Sequence, residues 1–123
     1  MITYDDFKKV EVRAGKILSA EKIPDTDKLI KLSVDFGEKR EVVSETGEKS
    51  LVSAPRQIIS GISMYFPDAS TLVGRTCMFV TNLEPRTIKG FESNGMLFAV
   101  SDGQGNFSLL EPNSSINPGT LAA

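Results

Sequence analysis

Nowhere does this chain keep the 3.6-residue apolar period for the length of a long amphipathic helix. Its apolar residues recur in short alternating runs cut by glycine, proline and aspartate. The clearest run is Leu29 to Phe36. Ile30, Leu32, Val34 and Phe36 fall on one side and Lys31, Ser33 and Asp35 on the other, the pattern of a half-buried strand. Gly37-Glu38-Lys39 closes it with a turn. Before it, Val10 to Ile23 reads as one long strand in which Val10, Val12 and Ala14 alternate with Glu11 and Arg13. Gly15 marks an expected bulge or sharp coil in that strand, and Pro24 to Asp27 is the loop that follows. Further strands are expected at Gln57 to Ser60, Arg75 to Thr81, Asn94 to Val100 and Phe107 to Leu110. Two short helical turns complete the set: Tyr4 to Lys9, capped by Thr3, and Pro67-Asp68 through Leu72. Residues 41 to 55 read either as a small hairpin around Glu45 to Lys49 or as a surface loop.

These elements predict one all-β domain over residues 1–123. A chain of this length buries about two-thirds of its unfolded surface, enough for a core. Five or more strands, a long bent first strand with a central glycine, and a short helix between the third and fourth strands suggest an OB-fold. That is a five-stranded Greek-key barrel, here with one or two short helices and an extra hairpin or loop near 41–55. Strand pattern by itself does not separate it from other small barrels. Phe36, Phe79 and Phe98 read as core. Tyr65 and Phe66 lie beside Pro67, where the sequence shows no stacking platform of the kind single-strand binders use.

Histidine is absent and cysteine occurs once. No Ser-His-Asp or Cys-His arrangement can be built, and the usual nitrogen and sulfur ligands of zinc are missing. The sixteen Asp and Glu residues are scattered, mostly beside lysines, as on a solvated surface. No catalytic residue, metal site or cofactor is therefore expected, and the protein is read as a non-enzyme. No apolar run approaches the ~20 residues that span a bilayer, so no membrane association is expected. The start MITYDDFKK is too acidic and polar for a signal peptide. Cys77 sits in an apolar run and reads as a buried thiol. A cytoplasmic location follows from these three observations.

Net charge is −2 and the isoelectric point about 5.2, so bulk charge does not attract nucleic acid. The distribution says more. All fourteen Lys and Arg lie between Lys8 and Lys89, and the 34 residues after Lys89 carry none. Near the end of the basic region stands NLEPRTIKGFESNGML, Asn82 to Leu97. Pro85, Gly90 and Gly95 there surround two cations, Arg86 and Lys89, and two small polar residues, Asn82 and Ser93. Nothing in it resembles a nucleophile or a base; it has the make-up of a ridge that holds phosphates.

The pattern Asn82-Leu83-x-Pro85-Arg86-x-Ile88-x-Gly90-x-x-Ser93-x-Gly95-Met96-Leu97 resembles the signature of the tRNA-binding OB domain. That domain occurs as a free-standing dimeric tRNA-binding protein and as the C-terminal or β-subunit appendage of methionyl-tRNA synthetase. Related copies occur in phenylalanyl-tRNA synthetase and in the endothelial-monocyte-activating cytokine precursor. Upstream blocks agree in order: Phe7 with Lys9-Val10 and Val12-Arg13, Gly15-Lys16-Ile17, Asp27-Lys28-Leu29, and Arg56 through Ile62. The resemblance runs from about residue 5 to 119. It implies binding to the outside corner of folded tRNA by shape and backbone contacts, with little reading of sequence. Carried over by position, the implied contacts are Arg86, Lys89, Ser93 and Met96, with Asn82 beside them and Lys28 and Lys31 behind. The chain departs from the family where Glu84 and Thr87 replace common cations, which implies weaker binding. Its 41–54 segment is also longer than usual.

Plainer readings stand beside these. Asn82 and Ser93 are residues that satisfy backbone groups in tight turns, and for Asn82 that reading is preferred. Met96 opens an apolar strand, so burial or a dimer contact competes with an RNA role. The resemblance implies a homodimer that acts in trans or as an accessory subunit of an aminoacyl-tRNA synthetase. The cation-free last ~25 residues, with Leu109, Leu110, Ile116 and Leu121, are the expected site of part of the dimer interface. The rival class is an export-chaperone-like, protein-binding module with weak or no tRNA binding.

Overall fold

The computed structural model describes every residue from Met1 to Ala123. A one-turn helix, α1 (Tyr4–Phe7), opens the chain, followed by β1 (Val12–Lys22), β2 (Ile30–Asp35), β3 (Lys39–Val43), β4 (Lys49–Ser53) and β5 (Arg56–Ser60). After two 3₁₀ turns, Ser63–Tyr65 and Ala69–Leu72, come β6 (Thr76–Val80), β7 (Arg86–Ile88) and β8 (Phe91–Ser93). The last three strands are β9 (Met96–Leu97), β10 (Ala99–Ser101) and β11 (Phe107–Leu109).

Five strands form the main antiparallel sheet in the order β5-β2-β1-β6-β9. Its two edges meet: Asn94, next to β9, donates its amide to the Gln57 carbonyl on β5 at 2.8 Å. The result is a nearly closed five-stranded barrel of OB type. The alternation on β2 comes out as expected, with Ile30, Leu32 and Val34 fully buried against Ile58, Phe79 and Leu97. Thr3 caps α1 through a reciprocal pair with Asp6. The 41–55 segment is the hairpin β3–β4, not a loop.

Three expectations change. Gly15 is not a bulge; it pairs regularly with Cys77. Glycine is required there because a Cβ would stand 2.5 Å from Phe36 Cε1 and 2.6 Å from Val34 Cγ1. The Phe36 ring, edge-on to Phe79 at 5.3 Å, fills the space a side chain would take. The strand's irregularity lies between Ile17 and Ser19, where exposed Leu18 is the extra residue. The turn Ser63–Tyr65 was not expected, and Phe98 is half-buried while Phe36 and Phe79 are core.

The C-terminal segment runs along the start of β1. Arg13 pairs with Leu121, Gly119 donates to the Ala14 carbonyl at 2.7 Å, and Ala122 donates to the Val12 carbonyl at 2.8 Å. This covers a sheet edge that would otherwise expose unpaired amides. Of the four apolar residues expected at a dimer contact, Leu109 is core and Leu110 and Ile116 are half-buried. Leu121 is 52% exposed. It lines a cleft of about 240 Å³ with Tyr4, Phe7 and Val10, all exposed.

Candidate nucleic-acid interface

The ridge is a hairpin of two three-residue strands. Arg86 pairs with Ser93, Thr87 with Glu92 and Ile88 with Phe91, which leaves Lys89-Gly90 as a two-residue loop. Both loop residues are left-handed, with φ of +50° and +85°. That is the type I′ arrangement, whose twist matches the flanking strands and which favours Asn-Gly. Gly90 adopts it freely. Lysine at the first position costs about 1 kcal/mol, yet it places an ammonium at the outermost point of the ridge.

Polar side chains fasten this hairpin to the barrel. The Ser93 hydroxyl accepts the Ile59 amide at 2.9 Å and donates to the Gly95 carbonyl at 3.2 Å. Gln57 Nε2 donates to the Glu92 carbonyl at 3.0 Å. Arg56 Nη1 donates to the Thr81 carbonyl at 2.6 Å and, more weakly, to the Asn94 carbonyl at 3.4 Å. Both sides of the ridge are therefore tied to β5. A two-pronged ion pair with Glu38, at 2.7 and 2.8 Å, orients the guanidinium and raises the Arg56 pKa. Arg56 and Gln57 stand in the upstream block Arg56 through Ile62, yet the motif by itself does not mark them as site residues. Their partners lie 18 to 38 residues away, and no local signal indicates them.

The expected contact residues fall into three groups. Arg86 and Lys89 are exposed and make no ion pair within 4.0 Å. Arg86 lines a small cleft of about 80 Å³ with Glu84, Ile88 and Met96, and Met96 is 47% exposed. Asn82 and Ser93 have backbone partners instead. Asn82 Oδ1 accepts the Glu11 amide at 2.8 Å and its Nδ2 donates to the Lys9 carbonyl at 2.6 Å, while Ser93 is only 4% exposed. Lys28 and Lys31 form the third group, and of the two Lys31 lies against the hairpin, near Phe91. The Lys28 carbonyl receives the Ser63 amide, leaving its side chain exposed. Lys31 lies 3.3 Å from Glu21 and 5.3 Å from the centre of the Phe91 ring.

Residues 12–121 match the family model described as "Putative tRNA binding domain". The chain belongs to the tRNA-binding domain family. It is 45% identical over 121 residues to a methionine–tRNA ligase of Methanoregula boonei, a match that covers 98% of this chain and 15% of that protein. The chain thus spans about one-seventh of the length of the ligases it matches. A MetRS-related protein from Pyrococcus horikoshii superposes with a TM-score of 0.80 at 32% identity, covering 100% of this chain and 98% of the other. The chaperone CsaA from Bacillus anthracis superposes with a TM-score of 0.76 at 25% identity, covering 100% and 99%. In this tRNA-binding domain the lone thiol belongs to the barrel core. Cys77 is fully buried, and burial pushes its pKa up to about 11. No helix is long and apolar enough to cross a membrane.

Proposed function

We propose that this tRNA-binding domain recognises the outside corner of folded tRNA without catalysing a reaction on it. The hairpin lies along the phosphate backbone, Arg86 and Lys89 make the leading contacts, and Met96 presses on a sugar or base beside Arg86. Lys28 and Lys31 extend the contact toward the barrel end. Asn82 and Ser93 act indirectly, by holding the ridge in place. The observation that carries this reading is the family match over residues 12–121 together with two exposed, unpaired cations on a rigidly fastened hairpin. Contacts of this kind take their affinity from counterion release and recognise RNA form rather than sequence. Glu84 beside Arg86 and Thr87 on the ridge keep the contact modest.

The partner is a methionyl-tRNA synthetase, with the domain acting in trans, as an accessory subunit, or within a longer ligase chain, in the cytoplasm. Two copies associate through the cleft of Tyr4, Phe7, Val10 and Leu121. That association sets two weak ridges on one tRNA and raises avidity without new contacts. A strictly monomeric mass by light scattering at micromolar concentration removes the dimer.

One titration tests the main reading. tRNA, a single strand of equal length and an unfolded protein are each added at two salt concentrations. Salt-dependent tRNA binding is expected, and the Arg86→Ala/Lys89→Ala double variant should weaken it and flatten the salt slope by about one unit per cation removed. Absence of tRNA binding at low salt refutes it. The rival reading, a protein-binding module like CsaA, draws support from the apolar cleft between the termini. Preference for the unfolded protein over tRNA is its signature.

A further inference from the structure

Lys31 differs from the other cations around the ridge because three elements converge on its ammonium. It stands on β2 directly opposite Glu21 of β1, and the two charged atoms are 3.3 Å apart. Phe91, which opens β8 and pairs with Ile88 to close the Lys89-Gly90 turn, presents its ring 5.3 Å from the same ammonium. The charge therefore sits on the seam between barrel wall and hairpin tip. The Lys31 side chain is 31% exposed and that of Glu21 is 66% exposed. The Glu21 carboxylate makes no hydrogen bond and has Lys31 as its one ion-pair partner, whereas the carboxylates of Glu11, Glu38 and Glu111 are each held by an arginine. The lysine is sheltered and fixed; its carboxylate partner is loose and wet.

We propose that Glu21 is an internal competitor for the RNA backbone. In the free protein it neutralises Lys31. On binding, a phosphodiester oxygen takes its place and the Glu21 carboxylate turns into water, while Phe91 keeps the ammonium at the hairpin tip in both states. Phe91 is thus a positioning residue. An exposed lysine–carboxylate pair is weak, so a phosphate displaces it readily, but the displacement still subtracts from affinity. This inference rests on the tRNA-binding reading above and adds the residue that limits its strength.

A double-mutant cycle on tRNA binding at low salt tests it. Glu21→Gln should tighten binding about threefold, the scale expected on removing a weak exposed competitor. Lys31→Ala should weaken binding, and Glu21→Gln placed in the Lys31→Ala background should change nothing further. Equal tightening in both backgrounds means that Glu21 acts only through its general field, and it overturns the proposal. So does an unchanged affinity in Glu21→Gln alone. Phe91→Leu should lower affinity about twofold and Phe91→Tyr should keep it, because only an aromatic face attracts the ammonium; equal affinities for Phe91→Leu and Phe91→Tyr remove Phe91 from the scheme. A parent protein that binds no tRNA defeats the functional reading as a whole. A parent that binds tRNA normally with no response at position 21 defeats this inference alone.

Discussion

Ser93→Ala separates fastening from contact. The Ser93 hydroxyl is the partner of the Ile59 amide, and Ile59 is 6% exposed. Alanine removes that acceptor and leaves a buried N–H unpaired, which costs about 1–3 kcal/mol; the bond to the Gly95 carbonyl is lost as well. A central value near 2 kcal/mol lowers the urea midpoint by roughly 1.3 M for a slope of about 1.5 kcal/mol per molar. The melting temperature should fall by about 6–10 °C in a domain of this size. Urea and thermal unfolding followed by circular dichroism measure these two shifts, and a tRNA titration in the cold, where the variant stays folded, measures binding. Affinity should change by less than about threefold, because Ser93 presents almost no surface to a ligand. Arg86→Ala should behave oppositely, with stability within about 0.5 kcal/mol of the parent and clearly weaker tRNA binding. An unchanged midpoint combined with lost tRNA binding in Ser93→Ala would refute the assignment of Ser93 as a fastener.

Lys89→Asn should raise stability by about 0.5–1 kcal/mol, because Asn-Gly suits a type I′ turn, while tRNA affinity falls; a stability loss contradicts the turn assignment. Gly15→Ala should cost about 1–3 kcal/mol by urea unfolding, since its Cβ meets Phe36 and Val34 at 2.5–2.6 Å. Cys77 should resist a thiol reagent at neutral pH until the chain unfolds, and rapid labelling of the native protein contradicts its burial. Arg13 and Thr81 hold the Glu11 pKa below its ordinary 4.5, and Arg75 does the same for Glu111. Carboxylates with lowered folded values add stability above the unfolded pKa and lose it as pH falls through the folded value. Urea midpoints should therefore be flat above about pH 5 and decline below 4.5, with a shallower decline in Glu111→Gln.

What could be read from the sequence was local. The Thr3 cap of α1, and the alternation of Ile30, Leu32 and Val34, depend on neighbours within a few residues, and both came out as expected. Gly15 misled because a glycine within a strand has two physical causes, a bulge or a close approach. The Phe36 ring that decides between them is 21 positions away and arrives from just past the end of β2. The real irregularity at Leu18 has no glycine to announce it. At the site, periodicity cannot show β7 and β8, because three residues are too few to display a period. The turn was equally silent, since Lys-Gly lacks the Asn or Asp that usually signals type I′.

Small polar residues gave the deepest ambiguity. Asn82 and Ser93 share a motif with Arg86 and Lys89, so a motif match alone cannot say which of the four meets a ligand. Burial and partners divide them. Asn82 bonds to Lys9 and Glu11 more than seventy positions upstream, and Ser93 bonds to Ile59, 34 positions upstream. The two cations have no such partner. A motif in which half the residues hold the other half in position has a mutational consequence. Changes at the fasteners should lower stability first and binding second, whereas changes at the cations should lower binding alone. The ridge has few cations to lose, with Glu84 and Thr87 on it and Lys31 already paired. Its affinity therefore rests on Arg86 and Lys89 themselves, while Ser93, Gln57 and Arg56 secure the stability of the hairpin that carries them.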